Sequence, residues 1–159
     1  MAARSAPLRS RLSPSMEDYL KEVYLVGHAA GVVTTQALAT RLGITAPSVT
    51  QMVKRLDAQG LVRRVPYRGV QLTTAGERVA REVIRHHRLL ERYLTEWLGC
   101  THAEAHEEAE RLEHHISETF EARIASLLGY PTPNPHEHAG TDADGTMMNA
   151  GGACQVDPD

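Results

Sequence analysis

Cysteine, aromatic residues and long apolar runs are all scarce in this chain of 159 residues. Two cysteines, Cys100 and Cys154, are too few for a disulfide scaffold. No apolar run approaches the ~20 residues that a membrane-spanning helix needs, and the basic N-terminus lacks the apolar stretch of a secretory signal. We therefore expect a cytoplasmic protein without a membrane partner. A hydrophobic share of 42% is ordinary for a folded domain, which argues against global disorder.

Charge and histidine are distributed unevenly along the chain. Residues 1–99 contain 15 Lys or Arg and eight Asp or Glu, whereas residues 100–159 contain two Arg and twelve acids. The second part also holds six of the nine histidines. A basic half is suited to contact phosphate, and a half rich in carboxylate and imidazole is suited to bind cations.

The first 60 residues predict three helices. Ser15 can cap a helix over 16–29, and Thr34 or Thr35 can open a short one with the sequence QALATRL. A third helix is expected over 46–59, with Pro47 in its first turn.

Beyond residue 60 the pattern predicts a hairpin and further helices. Apolar residues alternate over 61–65 and 70–72 around a Gly-containing turn, which is typical of two paired strands. A long helix should reach Leu98, the next should carry HAEAHEEAERLEHHI (102–116), and a last one should lie near 117–128. Residues 131–159 are expected to form a disordered tail, and residues 1–14 a flexible arm.

A short helix, a turn, a second helix and a basic hairpin together indicate a winged helix-turn-helix over 15–76. The second helix of such a unit fits the major groove of DNA, so Ser48, Thr50 and Gln51 are candidates to reach base edges. Basic residues of the helix and hairpin are suited to phosphates. These are Lys54, Arg55, Arg63, Arg64 and Arg68. A winged helix used only for protein contacts is the alternative.

Three predicted helices each carry metal-ligand types at helical spacing. Glu110, Glu113 and His114 stand at i, i+3 and i+4, with His106 one turn earlier. The i, i+4 pairs His87/Glu91 and Asp18/Glu22 lie on two other helices. Carboxylates that converge repel one another, so a divalent cation would stabilise them. The spacing alone fits solvated helix faces equally well.

The span 13–130 resembles the metal-dependent repressors of the diphtheria toxin repressor family, with most likeness to the short manganese transport regulators. The segments that carry the resemblance are SMEDYLKEVY (15–24), ITAPSVTQMVKRLDAQGLV (44–62), YRGVQLTTAG (67–76), HHRLLERYL (86–94) and HEEAERLEHHIS (106–117). The resemblance implies a mainly helical chain with a winged helix-turn-helix followed by a metal-binding and dimerisation domain over 77–130, without an SH3-like third domain.

The resemblance also implies a metal-responsive repressor that binds a palindromic operator as a homodimer and controls metal-transport genes. The implied primary metal ligands are Asp18, Glu110, Glu113 and His114. The implied ancillary ligands are His87, Glu91 and His106. Thr45, Pro47 and Gln51 occupy positions that touch bases in relatives, and Trp97 and Phe120 are expected to pack in the dimer core.

The identity of the metal follows in part from ligand hardness. The iron-responsive branch has Met and Cys where this chain has Asp18 and Glu110, and oxygen ligands favour Mn(II) over Fe(II). Zn(II) or Co(II) could substitute in vitro. The manganese regulators carry a second acid at the position of Lys21, so this chain should hold one central metal and another at His87, Glu91 and His106.

Two other functions are compatible with parts of the sequence. A winged-helix regulator could respond to an organic ligand, or to thiol oxidation at Cys100. A small metallohydrolase could use Glu110, Glu113 and His114 to hold an activated water, although no base or substrate pocket is recognisable. Our expectation is a repressor that is not an enzyme and takes no small organic substrate.

Overall fold

The computed structural model describes residues 12–27 and 31–130, which contain six helices and a two-stranded sheet. In chain order the elements are α1 (Pro14–Gly27), α2 (Thr35–Leu42), α3 (Ala46–Ala58), β1 (Val62–Val65), β2 (Gly69–Leu72), α4 (Thr74–Leu98), α5 (His102–Leu112) and α6 (Glu118–Leu127). The predicted fold class is confirmed: a winged helix-turn-helix precedes a helical domain.

The winged helix-turn-helix consists of α1 to α3 and the hairpin β1–β2. Thr34 caps α2 and Thr45 caps α3, each through a side-chain oxygen that accepts a backbone N–H of the first turn. Leu20, Leu38 and Leu56 are fully buried and join the three helices in one apolar core. The helices are therefore fixed both by local caps and by a shared core.

The hairpin is antiparallel, with Val62 opposite Leu72 and Val65 opposite Gly69. Gly69 has a φ of 130°, and a Cβ there would lie 2.0 Å from the carbonyl oxygen of Val33. Only glycine allows the second strand to approach the chain at Val33, whose amide and carbonyl both pair with Val70. This contact fixes the hairpin β1–β2 to the segment that precedes α2.

Helix α4 connects the two halves of the chain. Val79 and Ala80 belong to the core of the winged helix, whereas Leu89 and Leu90 belong to a second core formed with α5 and α6. Helix α1 packs along α4, and α5 packs on another part of α4. The N-terminal helix and the end of α5 can therefore meet on α4.

Two helix boundaries differ from the prediction by more than one residue. Helix α1 begins at Pro14, so Ser15 lies inside it and does not cap it. The helix predicted over 102–116 ends at Leu112. Its last turn tightens, because the amide of His115 donates to the carbonyl of Leu112 at 2.9 Å.

Some predictions lie outside the described residues. They concern residues 1–11 of the flexible arm predicted over 1–14, the last predicted turn of the first helix over 28–29 and the tail over 131–159. Within residues 12–27 and 31–130, no helix combines the length and the apolar character needed to cross a bilayer.

Candidate metal centre

The carboxylate of Glu113 lies at the junction of α1, α4 and the end of α5. Its side chain is completely buried, and both oxygens have partners. Lys21 of α1 donates to Oε1 at 2.6 Å, and Nδ1 of His87 on α4 lies 2.7 Å from Oε2. A single carboxylate therefore joins the N-terminal helix to the helical domain.

Asp18, Glu113 and His114 form what we call the primary cluster. Each offers one ligand atom, and these atoms lie within 4.8 Å of one another. Nε2 of His114 is 3.0 Å from Oδ1 of Asp18 and 3.3 Å from Oε1 of Glu113. Side chains that are more than ninety residues apart thus converge on a small volume.

Glu17 orients the imidazole of His114, a role that the sequence analysis did not predict. Its Oε2 lies 2.6 Å from Nδ1 of His114, and the Glu17 side chain is 4% exposed. A carboxylate on one ring nitrogen leaves the other nitrogen directed at a metal, which is the usual outer-shell arrangement of histidine ligands. Glu17 and Lys21 are an acid and a base four residues apart on a buried face of α1. This spacing is the feature of the sequence that could have indicated a role for Glu17.

His87, Glu91 and His106 form the second cluster. Their ligand atoms also lie within 4.8 Å of one another. Oε1 of Glu91 is 3.0 Å from Nε2 of His87 and 2.8 Å from Nδ1 of His106. His87 connects the two clusters, because its Nδ1 contacts Glu113 while its Nε2 faces Glu91 and His106.

Glu110 lies apart from the primary cluster, in contrast to the one-face arrangement predicted from its spacing. Its Oε1 is 3.7 Å from Nζ of Lys21 and 3.9 Å from Nε2 of His106, and its side chain is 55% exposed. Glu113 is still helical, and its amide donates to the carbonyl of Ala109, whereas His114 lies beyond the end of α5. Among the described residues, Glu110 lies between the two clusters and is a member of neither. Glu22, the i, i+4 partner of Asp18, pairs with Arg41 at 2.9 Å.

Hydrogen bonds outweigh burial in setting the charges of the centre. Burial would lower the pKa of His114, but hydrogen bonds with Asp18 and Glu17 raise it to about 9. Burial would raise the pKa of Glu113, whereas hydrogen bonds from His87 and Lys21 bring it below its usual value. The pKa of Lys21 is raised, since the hydrogen bond to Glu113 and nearby carboxylates outweigh desolvation. These contacts therefore favour the charged forms of Glu113, Lys21 and His114.

His86 fixes the backbone that presents Glu113 and His114. It is buried, with Nδ1 3.1 Å from the carbonyl oxygen of Glu113 and Nε2 3.0 Å from Oε2 of Glu121 on α6. In a continuing helix that carbonyl would accept the amide of Ser117, but Ser117 is extended and caps α6. The contact with His86 explains how the carbonyl is satisfied where α5 ends.

The donor set of both clusters fits a divalent transition metal. The ligands that the two clusters offer are carboxylate oxygens and imidazole nitrogens. Such a set suits Mn(II), Fe(II), Co(II) or Zn(II) and gives no preference to soft ions such as Cu(I).

The predicted DNA contacts lie on α3 and on the hairpin β1–β2, which we call the wing. Every residue that was predicted to contact DNA is exposed: Thr45, Pro47, Ser48, Thr50, Gln51, Lys54, Arg55, Arg63, Arg64 and Arg68. The side chain of Arg64 donates to Asp57 at 3.0 Å and ties the wing to α3. Tyr67, which the sequence analysis did not single out, is fully exposed at the wing tip with a φ of 61°.

Comparison with known proteins agrees with this architecture. Residues 11–70 match the family model "Iron dependent repressor, N-terminal DNA binding domain", and residues 73–140 match "Iron dependent repressor, metal binding and dimerisation domain". The HTH-type transcriptional regulator MntR of Lysinibacillus sphaericus is 33% identical over 137 residues, covering 86% of this chain and 98% of that protein. The iron-dependent repressor IdeR of Mycobacterium tuberculosis is 36% identical over 126 residues, covering 79% of this chain and 55% of that protein.

Solved structures of manganese regulators are similar as well. The manganese regulator SloR matches with a TM-score of 0.66 at 38% identity, over 79% of this chain and 58% of SloR. A manganese-dependent transcriptional repressor in complex with manganese gives a TM-score of 0.66 at 39% identity, over 76% of this chain and 56% of that one. The chain thus spans little more than half the length of these two structures. The metallohydrolase alternative is wrong, because the matched relatives are transcriptional regulators. The chain belongs to the iron-dependent repressor family and is a metal-dependent, DNA-binding transcriptional repressor of the MntR and IdeR type.

Proposed function

We propose that this protein represses metal-transport genes when Mn(II) binds at the primary cluster, and that it acts in the cytoplasm as a homodimer on a palindromic operator. The observation that carries the proposal is the convergence of Asp18 from α1 with Glu113 and His114 from the end of α5, within 4.8 Å. Helix α1 is part of the winged helix-turn-helix, so this convergence couples the metal centre to the DNA-reading unit. We divide the chain accordingly into a DNA-binding domain over 15–76 and a metal-binding and dimerisation domain over 77–130.

Each ligand has a distinct local role. Asp18 contributes a half-exposed carboxylate from α1, and Glu113 contributes a buried carboxylate. Glu17 holds the ring of His114, so that Nε2 stays directed at Asp18 and Glu113. When bound, a divalent cation supplies positive charge and coordination that tie these groups together.

We favour Mn(II) over Fe(II) because Asp18 and Glu110 offer oxygen where the iron-responsive branch has Met and Cys. We assign one ion to the primary cluster and one to the second cluster of His87, Glu91 and His106. Glu110, between the two, remains the proposed further ligand of the primary cluster.

Regulation would follow from a shift in population among dimer arrangements. A metal-free dimer samples several spacings of its two DNA-reading helices, and a tie between α1 and α5 favours the spacing that fits two half-sites. Four exposed apolar side chains on α4 and α6 are available to the partner chain: Trp97, Leu98, Phe120 and Leu127. On α3, Gln51 can pair with adenine, while Lys54 and Arg55 are placed for phosphates.

Binding of the protein to the DNA upstream of its own gene tests the proposal directly. Fluorescence anisotropy across Mn(II), Fe(II), Co(II) and Zn(II) should show that Mn(II) raises the affinity by about 5- to 150-fold, which corresponds to a coupling of about 1–3 kcal/mol. Bound metal would be counted in the same samples. An affinity that no divalent metal changes would contradict the proposal.

A further inference from the structure

We propose that the ammonium group of Lys21 is a tethered counter-cation of the primary cluster, which holds the metal-free centre together and competes with Mn(II) for Glu113. The inference rests on the proposed function, because it takes the primary cluster as the metal site. It concerns what sets the metal threshold rather than which residues bind the metal.

The position of Lys21 is unusual for a lysine. It lies one turn after Asp18 on α1 and its side chain is only 11% exposed. Lysine is almost never buried unless it is paired. Here Nζ is 2.6 Å from Oε1 of Glu113 and 3.7 Å from Oε1 of Glu110.

Lys21 and a metal ion need the same oxygen. Oε2 of Glu113 is engaged by His87, whereas Oε1 is the oxygen that lies 3.3 Å from Nε2 of His114. Oε1 is also the oxygen to which Lys21 donates. A divalent cation between His114 and Glu113 must therefore share Oε1 with the ammonium group or displace it, and the two positive charges repel each other.

The same ammonium group stabilises the metal-free protein. Glu113 is fully buried, and removal of one partner of a buried ion pair leaves a charge without compensation. Loss of the Lys21 charge should therefore have two effects of opposite sign. The metal-free fold should become less stable, while Mn(II) should bind more tightly. A lysine with a merely structural role would lower both stability and metal affinity when replaced.

The variant Lys21→Met separates these cases, because it keeps the length of the side chain and removes the charge. In the full chain stripped of metal we expect the melting temperature to fall by about 10 °C. Calorimetric titration with Mn(II) should show tighter binding, by about tenfold or more. Lys21→Arg keeps the charge and should behave like the wild type in both measurements. If Lys21→Met does not fold, Lys21→Gln takes its place, since it retains a donor for Glu113.

Arg41→Met is the matched control. It removes another ion pair of α1, the exposed contact of Arg41 with Glu22, and should leave Mn(II) binding unchanged. A Lys21→Met protein with unchanged stability, or with Mn(II) affinity equal to or below the wild-type value, overturns the inference. Failure of the proposed function looks different, because the wild type itself would then bind no Mn(II) or show no metal-dependent change in DNA affinity.

Discussion

Replacement of Asp18 by Asn is the most informative single change to the primary cluster. It removes one negative charge and keeps the size of the side chain. Asp18 is 42% exposed and contacts His114 at 3.0 Å, so loss of its charge should cost the metal-free protein less than about 1 kcal/mol. Glu113→Ala is a less specific test, because it would also destabilise the metal-free fold. It would leave Lys21 and His87 without a buried counter-charge, at a cost of about 3–5 kcal/mol.

The effect on metal binding should be much larger than the effect on the metal-free fold. At a Mn(II) concentration about 100 times the wild-type Kd, binding stabilises the protein by about 2.7 kcal/mol. Loss of an outer-shell partner alone lowers metal affinity by about 10- to 100-fold, so we expect loss of a ligand charge to lower it by about 100-fold or more. The stabilisation of Asp18→Asn by the same Mn(II) would then be about 0.4 kcal/mol.

Thermal melting of the full chain with and without Mn(II) measures this difference. The wild type should gain about 10 °C and Asp18→Asn about 2 °C, and only the wild type should gain operator affinity. Glu22→Gln is the control, because this other acid of α1 pairs with Arg41 away from the cluster. If Asp18→Asn keeps the full Mn(II)-induced rise in melting temperature, the assignment of the primary cluster is wrong.

Four further substitutions probe other parts of the molecule. Gln51→Ala should relax the preference for operator sequence, whereas Arg68→Ala should weaken binding to all duplexes alike and reduce by about 1 the slope of log affinity against log salt concentration. Titrations of operator and scrambled DNA over a salt series measure both effects. Swapped phenotypes would reject the assignment. His106→Ala should lower the number of bound metal ions per chain by one, because its ring belongs to the second cluster. Elemental analysis after dialysis against Mn(II) measures this number, and an unchanged value would contradict the prediction. Gly76→Ala should lower the free energy of unfolding by about 3 kcal/mol in urea, since a Cβ there would lie 1.9 Å from the carbonyl oxygen of Leu61, and wild-type stability would refute this reasoning.

Much of the fold could be predicted because its signals are local. Thr34, Thr45 and Thr101 each cap the helix that follows. Helix α4 ends at Leu98 as predicted, where Gly99 takes the left-handed conformation. The apolar stripe of Val49, Met52, Val53 and Leu56 on α3 lies against the core, which leaves the predicted DNA contacts on the exposed face. Helical periodicity and capping depend on residues that are close in the sequence, so the positions of these helices can be predicted from the sequence.

The details of the metal centre could be predicted only in part. Spacing predicts that Glu110, Glu113 and His114 share one face, but it does not show that the Glu110 carboxylate lies near Lys21 and His106. The contact of His86 with the Glu113 carbonyl depends on how α4 packs against α5, which periodicity does not specify. The contact of Glu17 with His114 depends likewise on the packing of α1.

The contacts that join α1 to the end of α5 connect residues 92 and 97 positions apart in the chain. At about 5–20 residues per second, a ribosome needs roughly 5–20 s to make the intervening segment. During that interval Glu17 and Lys21 have no partners from α5, although the core of the winged helix is already complete once α4 has begun. In each newly made molecule the DNA-reading unit therefore exists before the sensor that controls it.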